Sequence, residues 1–351
     1  MTQLSLGIQS PFLRACRRQP VERLPIWLMR QAGRYMEEYR RLRAKHDFLT
    51  LCRTPELAAE VTLQPINRFG FDAAILFSDI LIPVAAMGCR VEFDPAPVFE
   101  KPVRTAADVE ALHVPDPVAE TGYIMEAIRL VKRELDERVP LIGFAGAPIT
   151  LATYMVEAGS SKDFHRLRRL MNEAPGTAQR LLDLLTKTVT TYLAAQIEAG
   201  ADAVQLFDTW AGLLTPDDYR RFAVPGLQAI VGSLKPLGAP VIYYASGAGA
   251  LLGEMRSLGA DVIGVDWRTP LSEARKVLGP EIGVQGNLDP CALFAPPKEI
   301  ERRVRAVLDD AGPEPGHIFN LGHGVLPETP VEHVAALVEA VRKHGARGEQ
   351  S

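Results

Sequence analysis

Short apolar runs rich in β-branched residues recur along the chain, and a helical pattern follows each of them. The runs are continuously apolar rather than alternating, which is typical of parallel strands buried on both faces. Eight such units predict a (β/α)8 barrel, the TIM-barrel class of α/β fold. The eight runs are Pro25–Met29, Asp72–Ser78, Pro140–Ala145, Ala203–Asp208, Pro240–Ala245, Asp261–Asp266, Glu281–Gln285 and His317–Leu321.

The spacing of these runs is uneven, because the second and third gaps are longer than the others. We therefore predict insertions there, which cover one mouth of the barrel. Within the first insertion, residues 88–94 and Val98–Pro102 have the pattern of a small hairpin. No composition break marks a linker, so residues 1–351 are predicted to form a single domain, with flexible tails at about 1–10 and 346–351.

The predicted helices have recognisable ends. A Thr-Pro pair precedes four of them, and Thr hydroxyls cap free backbone N–H groups while proline suits the first helical position. Thr329 and Glu332 also have the spacing of a capping box. Glycines are expected to end helices at Gly70, Gly200, Gly259 and Gly345. The four pairs are Thr54-Pro55, Thr215-Pro216, Thr269-Pro270 and Thr329-Pro330.

A doubly wound open sheet is the competing fold. Its dinucleotide-binding form needs a G-x-G-x-x-G turn after a strand. The Gly247-Ala248-Gly249 turn lacks the third glycine, because Leu252 stands at that position. The pattern therefore favours the barrel.

Composition narrows the function. The formal net charge of −4 argues against a protein that binds nucleic acid in bulk. An anionic small molecule remains a suitable ligand, because a local basic cluster can oppose the overall sign. The four cysteines form no C-x-x-C pair, which excludes a disulfide framework and a zinc-ribbon spacing.

The compartment is predicted from the same pattern. Unpaired cysteines favour a reducing environment, and the first residues lack the basic and apolar regions of a signal peptide. The most apolar stretch, Phe71–Cys89, contains Asp72, Asp79 and Pro83, which argues against a membrane span. We expect a soluble, cytoplasmic protein.

Polar residues follow most of the apolar runs. In a barrel of this class the C-terminal ends of the strands carry the function, so these residues are the candidates for a site. They include two cations, carboxylates, a hydroxyl and an imidazole. They are Arg30, Arg34, Asp79, Gly146, Ala147, Thr150, Asp208, Thr209, Ser246, Gly247, Gln285, Asn287 and His323.

The segment Arg30-Gln31-Ala32-Gly33-Arg34 predicts anion binding. Two guanidinium groups bracket a glycine that lets the backbone approach a ligand closely. Arginine forks match carboxylate and phosphate geometry.

The other candidates differ in how strongly the residues alone support them. Asp79 lies among apolar neighbours, where an unpaired carboxylate is costly, so we expect its titration to serve catalysis. Asp208 is adjacent to Thr209 and equally suits a loop cap. Tyr154 on its own is more typical of a core position. His323 lies between two glycines, which leave its ring accessible.

Four segments together resemble the uroporphyrinogen decarboxylase family. Pro25–Tyr35 is similar to the family's N-terminal signature and Gly143–Pro148 to its second signature. Phe77–Leu81 and Asn320–Gly324 resemble two further family segments. The likeness runs from about residue 7 to residue 345, nearly the whole chain.

The resemblance implies a distorted (β/α)8 barrel, usually a homodimer, that needs neither metal nor organic cofactor. The family removes carbon dioxide from the four acetate arms of uroporphyrinogen III, giving coproporphyrinogen III. The family's roles would fall here on Arg30 to Arg34 for the substrate carboxylates and on Asp79 for the pyrrole N–H groups. Tyr154, Thr209 and His323 would complete the substrate pocket.

The catalytic candidates are then Asp79, Arg30 and Tyr154. The proton donor stays open between Arg30, Tyr154 and a proton bound to Asp79, because an arginine is a poor acid at neutral pH.

Two rival functions remain. Related zinc-dependent methyltransferases, which act with corrinoid proteins, need a His-x-Cys pair at a strand end. Here Tyr244-Ala245-Ser246 follows the fifth run, and Cys291 has no histidine neighbour. We therefore predict no metal site. A non-catalytic tetrapyrrole carrier would need the basic mouth but not Asp79. Turnover of substrate by the purified protein distinguishes a decarboxylase from such a carrier.

Overall fold

The computed structural model describes residues 10–93, 97–136, 138–159 and 164–347. Seven parallel strands form one curved sheet, and each pairs with the next along the chain. They are β1 (Ala74–Ile75), β4 (Leu141–Gly146), β5 (Ala203–Asp208), β6 (Val241–Ala245), β7 (Val262–Gly264), β8 (Gly283–Leu288) and β9 (His317–Leu321). A separate antiparallel hairpin consists of β2 (Val91–Phe93) and β3 (Pro97–Phe99).

Residues 25–29 close the sheet into a barrel. Ile26 forms a parallel bridge with Phe319 of β9, and the Phe319 N–H donates to the Pro25 carbonyl at 2.9 Å. On the other side, the Asp72 N–H donates to the Ile26 carbonyl at 2.8 Å. The predicted (β/α)8 barrel is confirmed, with this segment in the place of its first strand.

The first predicted strand is only a bridged segment, and its hydrogen bonds give the reason. The Leu28 N–H donates to Oε1 of Gln31 at 3.2 Å, and the Met29 N–H donates to Oδ1 of Asn320 at 3.0 Å. Side chains thus take the N–H groups that a regular strand would give to its neighbour. The local ladder ends there, and the chain turns towards the mouth.

Helices surround the barrel, as the strand–helix alternation predicted. They are α1 (Pro11–Cys16), α2 (Glu37–Arg43), α3 (Phe48–Arg53), α4 (Pro55–Phe69), α5 (Ile82–Ala86), α6 (Ala106–Glu110), α7 (Pro117–Leu135), α8 (Pro148–Glu157), α9 (His165–Glu173), α10 (Pro175–Glu198), α11 (Pro216–Asp218), α12 (Val224–Leu234), α13 (Leu252–Met255), α14 (Leu271–Leu278), α15 (Pro297–Ala311) and α16 (Val331–His344). A π-helical turn, Tyr219–Ala223, links α11 to α12.

The helix ends confirm some predictions and overturn others. Among the four Thr-Pro pairs, the Thr215 hydroxyl caps α11 as predicted. Thr54 precedes α4 but its side chain makes no capping hydrogen bond, and α14 starts after Pro270 rather than after Thr269. Gly70 caps α4 in the left-handed conformation, and Gly345 caps α16. The capping box predicted at Thr329 and Glu332 is wrong. Helix α16 begins one residue later, with Pro330 as its cap, and Thr329 Oγ1 is buried with no hydrogen-bond partner in the described part of the chain.

The barrel interior is a packed apolar core. It contains Trp27 and apolar side chains from β4, β5, β6, β7 and β9, and the apolar face of α1 packs against the same cluster. Trp27 Nε1 donates to Gln285, whose amide donates in turn to Gln205. These polar groups therefore bond to one another within the core, while Nε2 of Gln205 is buried without a hydrogen-bond partner in the described part of the chain. Partly exposed Ile75 and Phe207 lie at the edge of the cluster.

The predicted insertions lie at the mouth. Helices α8 and α9 precede α10, and Phe164, just before α9, stacks on Trp210 after β5 at 4.0 Å between ring centroids. The hairpin region attaches to the end of α8, because the Val103 N–H donates to the Met155 carbonyl at 3.0 Å. The hairpin itself was predicted, although residue 94 lies outside the described residues.

The chain ends are partly described. Ser10 caps α1, and Ala346 bridges Arg23. The Arg347 N–H donates to the Glu22 carbonyl at 2.8 Å. The rest of both predicted tails, residues 1–9 and 348–351, lies outside the described residues. None of the described helices combines the length and apolar character that a membrane crossing requires.

We predict that Asp72→Ala lowers the free energy of unfolding by about 3 kcal/mol. Asp72 is only 5% exposed. Its carboxylate accepts hydrogen bonds from the Ile26 N–H and from the Arg23 side chain, both at 2.8 Å. Urea unfolding followed by circular dichroism measures the loss. Glu37→Ala is the control, because its exposed pair with Arg41 contributes only about 0.5 kcal/mol. An equal decrease in the free energy of unfolding in both variants would show that Asp72 does not hold residues 25–29 in the barrel.

Candidate active site

Arg30 lies at the mouth, immediately after the segment that closes the barrel. Its backbone is left-handed, with φ of 59°, and its side chain is exposed. The methylene groups of the side chain lie against Gly324, where a Cβ atom would collide with them. The glycine after His323 therefore gives Arg30 its position.

The rest of the predicted anion-binding segment divides by role. Gln31 is fully buried, and its amide donates to the Ala73 carbonyl at 3.1 Å while its oxygen accepts from Leu28. It braces the loop rather than facing the mouth. Ala32 and Gly33 are partly exposed, and the Arg34 side chain is exposed.

Asp79 follows β1 and is partly exposed among apolar side chains. Its Oδ1 accepts the Leu81 N–H at 2.8 Å. Loss of hydration raises the pKa of Asp79 to about 6, against the opposing effects of this hydrogen bond and of the nearby Arg30 charge. The carboxylate therefore titrates close to neutral pH, as the sequence predicted for a group in this setting.

Tyr154 lies on α8, with its ring edge-on to Trp210 at 6.2 Å between centroids. Burial raises the pKa of the Tyr154 hydroxyl, and the charges of Asp79 and Arg30 act on it in opposite directions. Thr209 is partly exposed beside Trp210 at the end of β5. The tyrosine is thus close to the two charged candidates.

The sequence left the role of Asp208 undecided. In the structure its side chain faces away from the mouth. It is completely buried and accepts hydrogen bonds from Thr150 at 2.7 Å and from Tyr243 at 2.8 Å. Thr150 in turn accepts the Trp210 N–H at 3.1 Å. Burial raises the pKa of Asp208 to about 6. This network joins β5, β6 and α8, and so fixes the helix that carries Tyr154.

His323 follows β9 and lies between Arg30 and the loop after β7. Its Nδ1 accepts the Gly324 N–H at 2.8 Å, so the other ring nitrogen carries the proton in the neutral form. Burial, and then the charges of Arg30 and Arg268, lower the pKa of His323 to about 4. The ring is therefore a neutral hydrogen-bond donor at physiological pH.

The sequence analysis missed the loop after β7. Asp266 is buried there and accepts N–H groups from Gly247 and Arg268, while Asn287 donates to the Asp266 carbonyl at 3.0 Å. The rule that named the other candidates, a polar residue after an apolar run, also applies to Asp266 and Arg268.

The floor of the mouth is apolar and aromatic. Phe207 contacts Phe144 and Tyr244 edge-on, at 5.6 and 6.2 Å between centroids. The Tyr244 hydroxyl donates to the Gly322 carbonyl at 2.8 Å. Within the described ranges, no cluster of three or more His, Cys, Asp or Glu side chains is arranged as a metal site.

Together these residues have the chemistry that a flat, anionic molecule would require. An apolar floor can contact a ring system, exposed guanidinium groups can bind its carboxylates, and one desolvated carboxylate can meet N–H donors or a developing positive charge. The predicted site residues Arg30, Asp79, Tyr154, Thr209 and His323 lie at the C-terminal ends of the barrel strands or just beyond them.

Comparison with known proteins finds relatives that match nearly the whole chain. The family model described as uroporphyrinogen decarboxylase (URO-D) matches residues 8–344. The chain is 56% identical over 334 residues to uroporphyrinogen decarboxylase of Myxococcus xanthus, covering 95% of this chain and 96% of the relative. It is 55% identical to that of Syntrophotalea carbinolica, covering 95% and 97% of the two chains.

Solved structures support the fold. A methyltransferase from Methanosarcina mazei superposes with a TM-score of 0.82 at 22% identity, covering 96% of this chain and 98% of the other. That likeness concerns the barrel alone. The matches in sequence extend over nearly the whole chain and include the segments that carry Arg30, Asp79 and His323. The chain therefore belongs to the uroporphyrinogen decarboxylase family.

Proposed function

We propose that this protein removes the four acetate carboxyl groups of uroporphyrinogen III, giving coproporphyrinogen III and four molecules of carbon dioxide. It acts in the cytoplasm as a homodimer, with neither metal nor organic cofactor. The family membership supports the reaction. The site supports it through one observation, a desolvated carboxylate with exposed guanidinium groups at the same barrel mouth.

The proposed substrate accounts for the charged side chains at the mouth. Its eight carboxylates need fixed cations, which Arg30 and Arg34 supply, and guanidinium forks bind carboxylates with two parallel hydrogen bonds. The centre of the macrocycle carries pyrrole N–H groups instead. A single carboxylate, Asp79, suits those donors, and the aromatic floor suits the face of the rings.

The reaction needs a place for the electron pair of the breaking bond. A pyrrole protonated at a ring carbon is cationic, and it accepts that pair when the bond between the acetate methylene and its carboxyl group breaks. Carbon dioxide leaves, the methylene carbon takes up a proton to become a methyl group, and the ring loses its extra proton. Asp79 stabilises the positive charge of the protonated ring by preorganised electrostatics.

Three groups are candidates for the proton donor: Arg30, Tyr154 and Asp79. An arginine side chain is in general a poor acid at neutral pH. Burial raises the pKa of the Tyr154 hydroxyl above its usual value. Asp79, with a pKa of about 6, is the group that exchanges protons most readily near neutral pH. The pH dependence of the reaction separates a role of Asp79 as proton donor from its role in stabilising the cationic ring.

The proposed function predicts turnover by the purified protein after treatment with a chelator. Anaerobic incubation with uroporphyrinogen III, followed by chromatography of the oxidised porphyrins, should show sequential loss of four carboxyl groups. Tight binding without loss would identify a carrier instead. Neither binding nor loss would favour a methyltransferase relative. Sedimentation of the same sample tests the dimer.

We predict that kcat/KM falls as the pH drops through about 6, because protonation removes the Asp79 charge that the cationic ring requires. The pKa of His323, lowered to about 4, keeps it out of this range. Asp79→Asn should slow turnover by about 10² to 10³ and abolish this pH dependence. Steady-state rates between pH 5 and 8 measure both effects.

Asp217→Asn is the matched control, since its side chain is 90% exposed on α11 and it should keep both rate and profile. The opposite profile, in which activity of the wild type falls as the pH rises through about 6, would show that protonated Asp79 is the donor. A fully active Asp79→Asn variant would contradict both proposed roles of Asp79, stabilisation of the cationic ring and proton donation.

We predict that Arg34→Ala raises KM by about 10- to 100-fold and leaves kcat within about twofold, because it removes charge-assisted hydrogen bonds to a carboxylate. Initial rates against substrate concentration measure the change. Arg41→Ala is the control, since Arg41 pairs with Glu37 on the exposed face of α2. Unchanged KM in Arg34→Ala would place its guanidinium outside the substrate site.

A further inference from the structure

We propose that Arg268 binds a carboxylate arm of the substrate, together with the donor nitrogen of His323. This subsite rests on the proposed function, because it needs a polycarboxylate ligand. It adds a third guanidinium group to Arg30 and Arg34, on the loop that follows β7.

The position of Arg268 relative to His323 follows from two close contacts, one on each side of the histidine, that only glycine allows. Gly322 packs against the backbone of Asp266 and Trp267, where a Cβ atom would collide. Gly324 packs in the same way against the Arg30 side chain. His323 therefore lies between the Arg30 loop and the Arg268 loop, and a carboxylate that meets its ring also lies near both loops.

The Arg268 guanidinium is held in place while its side chain stays 54% exposed. Its Nη1 donates to Oδ2 of Asp266 at 2.7 Å, and its own backbone N–H donates to Oδ1 at 2.9 Å. The guanidinium plane lies over the Trp267 ring, 4.0 Å from the centroid. Stacking and the ion pair together reduce the conformational entropy that a flexible arginine would lose on binding.

Arg268 keeps guanidinium N–H groups that these contacts do not use. A guanidinium has five N–H groups, and the side-chain bond to Asp266 uses one nitrogen. Asp266 itself shares its charge with the Gly247 N–H and the Arg268 backbone. Arg268 can thus form a bidentate pair with an incoming carboxylate without breaking its ion pair.

His323 supplies the complementary donor. Because its Nδ1 accepts the Gly324 N–H, the neutral ring presents Nε2–H. Arg268 acts on the titration of this ring and on that of Tyr244, the aromatic residue at the top of the barrel. Arg268 is therefore close to the mouth, unlike the arginines that pair with glutamate on the outer helices.

The test compares Arg268→Ala and Arg268→Lys with the wild type. We expect KM for uroporphyrinogen III to rise about 10- to 100-fold in the alanine variant, with kcat within about twofold, and the lysine variant to lie between. The salt dependence of KM should also weaken in the alanine variant, because one screened charge pair is lost. Arg302→Ala is the matched control, since Arg302 pairs with Glu299 on α15.

Binding measured by anaerobic calorimetry with uroporphyrinogen III separates this inference from the proposed function. Weaker binding in Arg268→Ala supports the subsite even if the wild type shows no turnover. Unchanged KM and unchanged affinity in a folded Arg268→Ala would overturn the subsite and leave the decarboxylase function intact. A fall in kcat alone, with KM unchanged, would also overturn it.

Discussion

The closed barrel depends on one buried carboxylate. Asp72 accepts hydrogen bonds from Arg23 and from the Ile26 N–H, while its own N–H donates to the Ile26 carbonyl. It thereby holds residues 25–29 between β1 and β9, where side chains rather than strand partners take several N–H groups. A buried carboxylate is stable only with such partners. The same contacts bring Arg30 to the mouth beside Asp79.

The strained backbone of Arg30 shows what this arrangement costs. A non-glycine residue in the left-handed region costs about 1–2 kcal/mol. The surrounding contacts maintain it: Gln31 braces the loop from within, and the Val325 N–H donates to the Met29 carbonyl at 2.9 Å. Strain held in this way is typical of functional sites, because it fixes a side chain where the ligand requires it.

Asp79 and Asp208 show why burial alone does not identify a catalytic carboxylate. Loss of hydration raises the pKa of each to about 6. Asp208 is enclosed by hydroxyl donors on the helix side of the sheet, and it positions α8. Asp79 has one backbone donor and remains partly exposed at the mouth. Asp79 therefore keeps acceptor capacity at the mouth, whereas both carboxylate oxygens of Asp208 already accept hydrogen bonds.

The sequence by itself determined the barrel class, the insertions and most of the mouth, because buried parallel strands are continuously apolar and the residues after them share one rim. It also determined the family, through segments whose residues are contiguous. Only the tertiary structure decided that Gln31 braces a loop, that Asp208 faces the helices, and that the Gly322 backbone packs against the loop after β7. Those roles depend on which way a side chain turns and on contacts between residues far apart in the chain, such as Gly322 with Trp267, which no local pattern encodes.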